Sequence, residues 1–283
     1  MISYQEKPLH EFTHYVLRKL VLKPNKSLGQ NFLVSEITRN RIINLLDPKP
    51  EDTILEIGGG LGALSIPIAK SGAELTVYEI DRNLNQWLTA ELVSYSKTCR
   101  ILGDFLENYP LENLEDRKFK VIGNLPYQIT SPILEKIYDS CVLPSEIIIM
   151  IQKEVAERIS AGTGTKTRGR LTLWCEYHAD IERSFDVKPG AFLPSPKVGS
   201  CVLKLKTKSS FALEADQKRR FFDFVKAAFS MKRKTLVNNL SAWNDSISKD
   251  EISKLMEGSG YDVRLRAEDL GLEDFLKLFN AMH

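Results

Sequence analysis

Thr53-Ile54-Leu55-Glu56-Ile57-Gly58-Gly59-Gly60-Leu61-Gly62 joins an aliphatic run to four glycines in five positions. The run is short and rich in residues that suit a buried strand. The glycines follow at once, so the chain can turn sharply where the strand ends and let a bound group approach the backbone closely. Upstream, Pro48 and Pro50 separate this run from a helix that Ser35 caps and that extends through Leu46. Downstream, strand and helix alternate at short intervals. The pattern predicts helix over 61–70, strand over 74–79, helix over 82–93 and a weaker strand over 100–102. Strand over 120–122, helix over 131–138 and strand over 146–151 follow. This alternation predicts an α/β fold: a Rossmann-like, mostly parallel sheet covered on both faces.

The flanks differ. Leu9, Phe12, Val16 and Leu20 recur at helical spacing, which predicts an N-terminal helix. Helices over 153–160 and 170–178 bracket a glycine- and threonine-rich loop. Strands over 181–187 and 200–206 lie on either side of the proline-rich 189–196, and their short connection predicts an antiparallel pair at the sheet edge. Helices are expected over 218–230, 233–242, 249–257 and 268–282. A boundary near Lys208 would divide 1–208, the α/β domain with an N-terminal helical extension, from 209–283, a small all-helical domain. Phe221, Phe222, Phe224 and Phe229 are expected to form that domain's core.

A 283-residue chain with 43% hydrophobic and 27% charged residues is neither disordered nor collagen-like. No run of about 18 apolar residues predicts a membrane helix, and Met1–Leu9 does not resemble a secretory signal. Cys99, Cys141, Cys175 and Cys201 are far apart and form no Cys-x-x-Cys motif. Free thiols and a cytoplasmic location are expected, without structural zinc. Net charge is only +2, but it is uneven. Lys204–Leu240 holds ten Lys or Arg against three acids, and Met1–Arg41 holds seven against three. That asymmetry suggests a polyanion touching two parts of one surface.

The ends of successive strands carry polar residues. Glu79, 21 residues after Gly58, can accept hydrogen bonds from a ribose diol, as in nucleoside-cofactor sites. Two cofactors compete at this point. Gly58-x-Gly60-x-x-Ala63 fits the dinucleotide fingerprint. Glu56 with Gly58, Gly60 and Gly62 instead resembles motif I of S-adenosylmethionine-dependent methyltransferases. Asp104 of Gly103-Asp104-Phe105 can accept from an adenine amine. The most specific signal is Gly123-Asn124-Leu125-Pro126-Tyr127. An amino group on an aromatic base is a poor nucleophile because its lone pair is delocalised into the ring. The Asn124 side-chain oxygen and the Leu125 carbonyl can accept its two N–H groups. Pro126 fixes the turn, and Tyr127 can stack on the base.

Five segments together carry a resemblance. They are Gly29-Gln30-Asn31-Phe32-Leu33, Glu56-Ile57-Gly58, Asn124-Leu125-Pro126-Tyr127, Gln152–Arg158 and Phe192-Leu193-Pro194-Ser195-Pro196-Lys197-Val198. In this order the chain resembles the small-subunit rRNA adenine N6,N6-dimethyltransferases of the KsgA type from about Lys26 to Leu240. The resemblance implies two methyl transfers from S-adenosylmethionine to N6 of each of two neighbouring adenosines near the 3′ end of small-subunit rRNA. It implies cofactor contacts by Gln30, Asn31, Leu33, Gly58, Gly60, Glu79, Ile80, Asp104, Phe105 and Asn124. Tyr127 and Phe192 would sandwich the target adenine, beside Asn124, Leu125 and Pro126. The partner would be small-subunit rRNA or a partly assembled 30S subunit, engaged by a monomer, with no metal required. Lys23, Lys26, Arg219, Arg220, Lys232, Arg233 and Lys234 are the expected phosphate contacts, on either side of the site. Gly59 for Pro or Ala, Arg168 for Tyr and Gly199 for Asp depart from the family pattern. The first should be tolerated, and the other two put local RNA contacts in question.

Other readings stay open. A large-subunit rRNA methyltransferase of the macrolide-resistance type more commonly has Asn-Ile-Pro-Tyr. A non-catalytic assembly or transcription factor would not need Glu79, Asp104 and Asn124 together. A dehydrogenase has no use for Asn124-Leu125-Pro126-Tyr127. His10-Glu11-Phe12-Thr13-His14 matches a zinc-protease pattern. With no third ligand nearby, it is expected to flank the apolar stripe of a helix.

Overall fold

The computed structural model describes residues 7–95, 99–109, 114, 117–126, 128–242 and 248–282. Along the chain the helices are α1 (Leu9–Lys19), α2 (Glu36–Leu46), α3 (Ser65–Lys70), α4 (Arg82–Leu92), α5 (Phe105–Asn108), α6 (Thr130–Tyr138) and α7 (Lys153–Ile159), followed by α8 (Arg170–His178), α9 (Ala215–Ala228), α10 (Leu236–Ser241), α11 (Lys249–Gly258) and α12 (Leu272–Ala281). The strands are β1 (Phe32–Leu33), β2 (Thr53–Ile57), β3 (Glu74–Tyr78), β4 (Cys99–Leu102), β5 (Phe119–Asn124), β6 (Glu146–Gln152), β7 (Ala179–Val187), β8 (Phe192–Leu193) and β9 (Ser200–Thr207).

Seven strands form one sheet in the order β4-β3-β2-β5-β6-β9-β7. β2 pairs in parallel with β3 and with β5, placing Glu56 opposite Val77 on one side and Ile122 on the other. β3–β4 and β5–β6 are also parallel, whereas β9 runs antiparallel to β6. The interior strand β2 is buried at all five positions, as a strand covered on both faces must be. Because the order reverses direction between β2 and β5, the loops leaving these strands diverge and open a crevice at their carboxyl ends.

Two compact units result. The first comprises Met1–Ala156 and Glu182–Thr207; the second comprises Glu157–Ile181 and Lys208–His283. The first has a core that includes Phe12, Val16, Ile54, Leu75, Val77, Leu88 and Ile122. The second is helical, with Leu173 and Tyr177 of α8 packed among Phe221, Phe224, Leu236 and Phe275. The chain passes between the units after Ala156, Ile181 and Thr207, so a division into two consecutive blocks needs correction. The apolar side chains of α8 belong to the helical core and draw 157–181 into the second unit. Phe221, Phe222 and Phe224 are buried there as expected, and Phe229 is partly buried against them.

Arg168 is buried in the second unit. Its Nη1 and Nη2 donate to Oε1 and Oε2 of Glu176, each at 2.7 Å. Nη1 also reaches the Ala161 carbonyl and Nε the Leu270 carbonyl. This departure from the family pattern is therefore a packing element, not a surface RNA contact. Gly199 accepts the Lys153 N–H at 3.0 Å through its carbonyl and so sits at the junction of β6 and α7.

Several element boundaries differ from expectation for local reasons. The helix expected from Leu61 starts at Ser65, because Gly60 and Gly62 adopt left-handed φ values of 55° and 87°. The helix expected from Arg233 starts after Thr235, whose hydroxyl caps the Asn238 N–H. The segment 268–282 divides into a 3-10 turn, Ala267–Asp269, and α12, which begins after Gly271. The two-residue ribbon β1–β8 and the single turn α5 are not signalled by any periodicity.

Candidate active site

Each side chain at the crevice is placed by the end of a strand. Gly58 follows β2 with φ 79°, and its N–H donates to the Tyr78 carbonyl. Gly60, at φ 55°, directs its N–H to Oε2 of Glu79 at 2.7 Å. The Asp81 N–H donates to the other Glu79 oxygen at 2.9 Å. The glycine turn and the acid of the next strand are thus one hydrogen-bonded assembly. Gly59 serves a spatial purpose. A Cβ there would lie 2.4 Å from Cγ1 of Val77 and 2.8 Å from Cδ1 of Leu88. The departure from the family's Pro or Ala at this position fits its surroundings, which close around a bare Cα.

Asp104 ends the β4 segment and caps α5, Oδ1 accepting the Leu106 N–H at 2.8 Å. Phe105 is buried beside it, stacked on Tyr109 at 4.8 Å and edge-on to Tyr78 at 5.0 Å. Asn124 is the last residue of β5. Its Nδ2 donates to the Asn31 carbonyl at 3.0 Å. That bond fixes which way the amide faces and leaves the side-chain oxygen as its acceptor end.

These residues line a cavity of about 330 Å³. Gln30, Asn31, Leu33, Gly58, Gly60, Glu79, Ile80, Asp104, Phe105, Asn124, Leu125 and Pro126 all border it. Ser27, Leu28 and Gly29 border it too and were not among the expected contacts. The polar, glycine-containing character of 23–31 was the available signal for them. One expectation is not met by this arrangement. Phe192 is buried in the apolar core, on the strand where it faces Leu33, and does not line the cavity. Its place is to pack β8 against β1 rather than to offer an open ring. Tyr127 lies outside the described residues.

Two carboxylates shape the electrostatics. Burial pushes the Glu56 pKa up from 4.5 to about 8; the Ser65 hydroxyl opposes the shift and the neighbouring Glu79 adds to it. Glu56 borders the cavity, and its Oε2 is buried with no hydrogen-bond partner. Burial also raises the Glu79 pKa, chiefly against the N–H groups of Asp81 and Gly60. The site fits a nucleoside-bearing ligand: a glycine cradle, an anchored acid at the end of β3, an aromatic pocket beside Asp104 and a buried carboxyl oxygen without a partner.

The remaining candidates lie elsewhere. Lys23 and Lys26 are exposed in the first unit; Arg219, Arg220, Lys232, Arg233 and Lys234 are exposed in the second. His10 and His14 share an exposed face of α1, their Nε2 atoms 3.2 Å apart. Among the described residues no group of three or more His, Cys, Asp or Glu side chains could hold a metal. No described helix is long and apolar enough to cross a membrane.

The sheet order, the glycine turn, and Glu79, Asp104 and Asn124 at successive strand ends define a Rossmann-like S-adenosylmethionine-dependent methyltransferase. Residues 21–283 match the ribosomal RNA adenine dimethylase family. The chain belongs to that family and is an S-adenosylmethionine-dependent rRNA adenine dimethyltransferase. The ribosomal RNA small subunit methyltransferase A of Clostridium botulinum is 37% identical, over 96% of this chain and 98% of its own. A dimethyladenosine transferase from Plasmodium falciparum superposes with a TM-score of 0.74 at 25% identity, covering 87% of this chain and 95% of its own. The 23S rRNA methyltransferase ErmE shares the fold, with a TM-score of 0.70 at 24% identity, covering 89% and 99%.

Proposed function

We propose that this enzyme dimethylates N6 of two adjacent adenosines near the 3′ end of small-subunit rRNA. The likeness to small-subunit methyltransferases over nearly the whole chain supports that choice of substrate. S-adenosylmethionine supplies a methyl group already activated by its positive sulfur. The chain's own residues then need only bind, orient and accept hydrogen bonds. Glu79, held by two N–H groups, receives the ribose hydroxyls. Oδ2 of Asp104, whose other oxygen caps α5, receives the adenine amine of the cofactor. Gly58 and Gly60 allow the close approach that the methionine portion needs.

The observation that carries the chemistry is the bond from Asn124 Nδ2 to the Asn31 carbonyl. With its amide N–H₂ engaged, Asn124 presents oxygen to the target amine. The Leu125 carbonyl accepts the second N–H, and the two acceptors favour the tetrahedral nitrogen that attacks in line. Tyr127 supplies the ring on which the base stacks. The exposed cations of both units contact phosphates, with the helical unit as an RNA-binding domain. The enzyme acts as a cytoplasmic monomer on small-subunit rRNA, free or in a partly assembled 30S particle.

Asn124→Ala tests the mechanism. Transfer at saturating S-adenosylmethionine should fall about 10²-fold or more, beyond any loss of calorimetric cofactor affinity that comes from losing the bond to the Asn31 carbonyl. Near-normal single-turnover transfer would remove Asn124 from the chemistry. Tritiated-methyl transfer onto unmethylated small and large subunits, with the labelled base mapped, tests the substrate. Label confined to large-subunit rRNA would overturn it.

A further inference from the structure

The loop that forms the N-terminal wall of the cavity is folded on itself by one side chain. Gln30 Oε1 accepts the Asn25 N–H at 2.8 Å, and the Gln30 N–H returns to the Asn25 carbonyl at 3.2 Å. Asn25 Oδ1 in turn accepts from both the N–H and the hydroxyl of Ser27. Residues 25–30 therefore form a closed ring whose conformation does not depend on the sheet. The other end of the Gln30 amide does something different. Nε2 donates at 2.9 Å to Oδ2 of Asp81, 51 residues away in sequence. Asp81 Oδ1 caps α4 through the N–H groups of Asn83 and Leu84. Its backbone N–H meanwhile holds Glu79. One amide thus ties the loop wall to the strand end that carries the expected ribose-binding acid. The opposite margin of the loop is held by Asn124 through the Asn31 carbonyl.

We propose that Gln30 is a positioning residue: a clasp from the 25–31 loop to Asp81 that keeps the loop closed over bound S-adenosylmethionine and sets its release. The proposal rests on the reading of this cavity as the cofactor site. The Asn124–Asn31 bond alone leaves the loop hinged at one side. The bond to Asp81 closes the other side, at the rim where the nucleoside end would leave. Gln30 works through Asp81 and the loop and needs no contact with the reacting atoms.

The geometry supplies its own test. Gln30→Glu keeps the oxygen that accepts the Asn25 N–H, so the ring survives. It replaces the donor facing Asp81 with a second carboxylate oxygen. Release of S-adenosylmethionine, followed by stopped-flow displacement, should quicken about tenfold or more, the size expected for losing a hydrogen bond to a charged group. Asp81→Asn leaves an oxygen on the α4 cap but presents an amide to the Gln30 amide, and it should quicken release similarly. The double variant reverses donor and acceptor, and release should return to within about threefold of wild type. General damage to the loop would make the two effects add, and additive effects overturn the clasp, as does an unchanged release rate in Gln30→Glu. Glu79→Ala is the parallel control. If it leaves cofactor affinity unchanged, the cavity assignment itself fails. If it weakens binding while Gln30→Glu does not alter release, only the clasp fails.

Discussion

Glu79 has two duties, and a single substitution to alanine removes both. Its oxygens hold Gly60 and Asp81 in place, and the residue borders the cavity. Glu79→Ala should reduce S-adenosylmethionine affinity roughly tenfold to a hundredfold, since hydrogen bonds to a charged group are worth about 1.5–3 kcal/mol. Calorimetry measures this directly, and saturable NAD binding to the wild type would count against the cofactor. Glu56 makes a different prediction. Its folded pKa, about 8, lies above the ordinary 4.5, so the native state holds the proton more tightly than the unfolded chain. The resulting stability is complete below about pH 4.5 and is lost as pH rises through about 8. Glu56→Gln cannot titrate. Urea denaturation at pH 5, 6.5 and 8 should show the variant gaining on wild type by up to about 1.4 kcal/mol per pH unit. A constant difference across that range would contradict a buried neutral Glu56. Much of this was legible in the sequence, because Glu56, Glu79, Asp104 and Asn124 each stand beside a strand end. The closed space at Gly59 was not. It depends on Val77 and Leu88, which approach only after β3 and α4 have packed.

At the scale of elements, alternation revealed the parallel sheet because buried parallel strands are continuous aliphatic runs with helices between them. β1 and β8 escaped notice because two-residue strands have no period, and they pair residues 32–33 with residues 192–193. For the same reason the burial of Phe192 could not be foreseen from its motif. The Arg168 network was equally hidden, since an arginine in a glycine- and threonine-rich loop suggests solvent. Arg168→Leu should destabilise the protein by about 2–4 kcal/mol, because it strands the partly buried Glu176 carboxylate and two carbonyls. Equilibrium urea unfolding checks this, and a loss under about 0.5 kcal/mol would mean that the pair contributes little beyond geometry.

For the whole molecule, the prediction concerns salt. Lys232, Arg233 and Lys234 are exposed between α9 and α10. If they neutralise phosphates, log affinity for structured rRNA should fall with log salt by ~0.7–0.9 per contact. Replacing all three with Ala should flatten the slope by up to about two to three units, leaving S-adenosylmethionine affinity unchanged. Titrations at several salt concentrations that give equal slopes would remove this segment from the RNA interface. The discontinuity of the second unit bears on how the chain is made. α8 is synthesised well before α9 and α12, yet Leu173 and Tyr177 pack with Phe221 and Phe279. At ~5–20 residues per second, these apolar groups wait many seconds on the ribosome for their partners. A stop codon after Thr207 would make that wait permanent: it would release α8 with its buried face bare, rather than a trimmed catalytic domain.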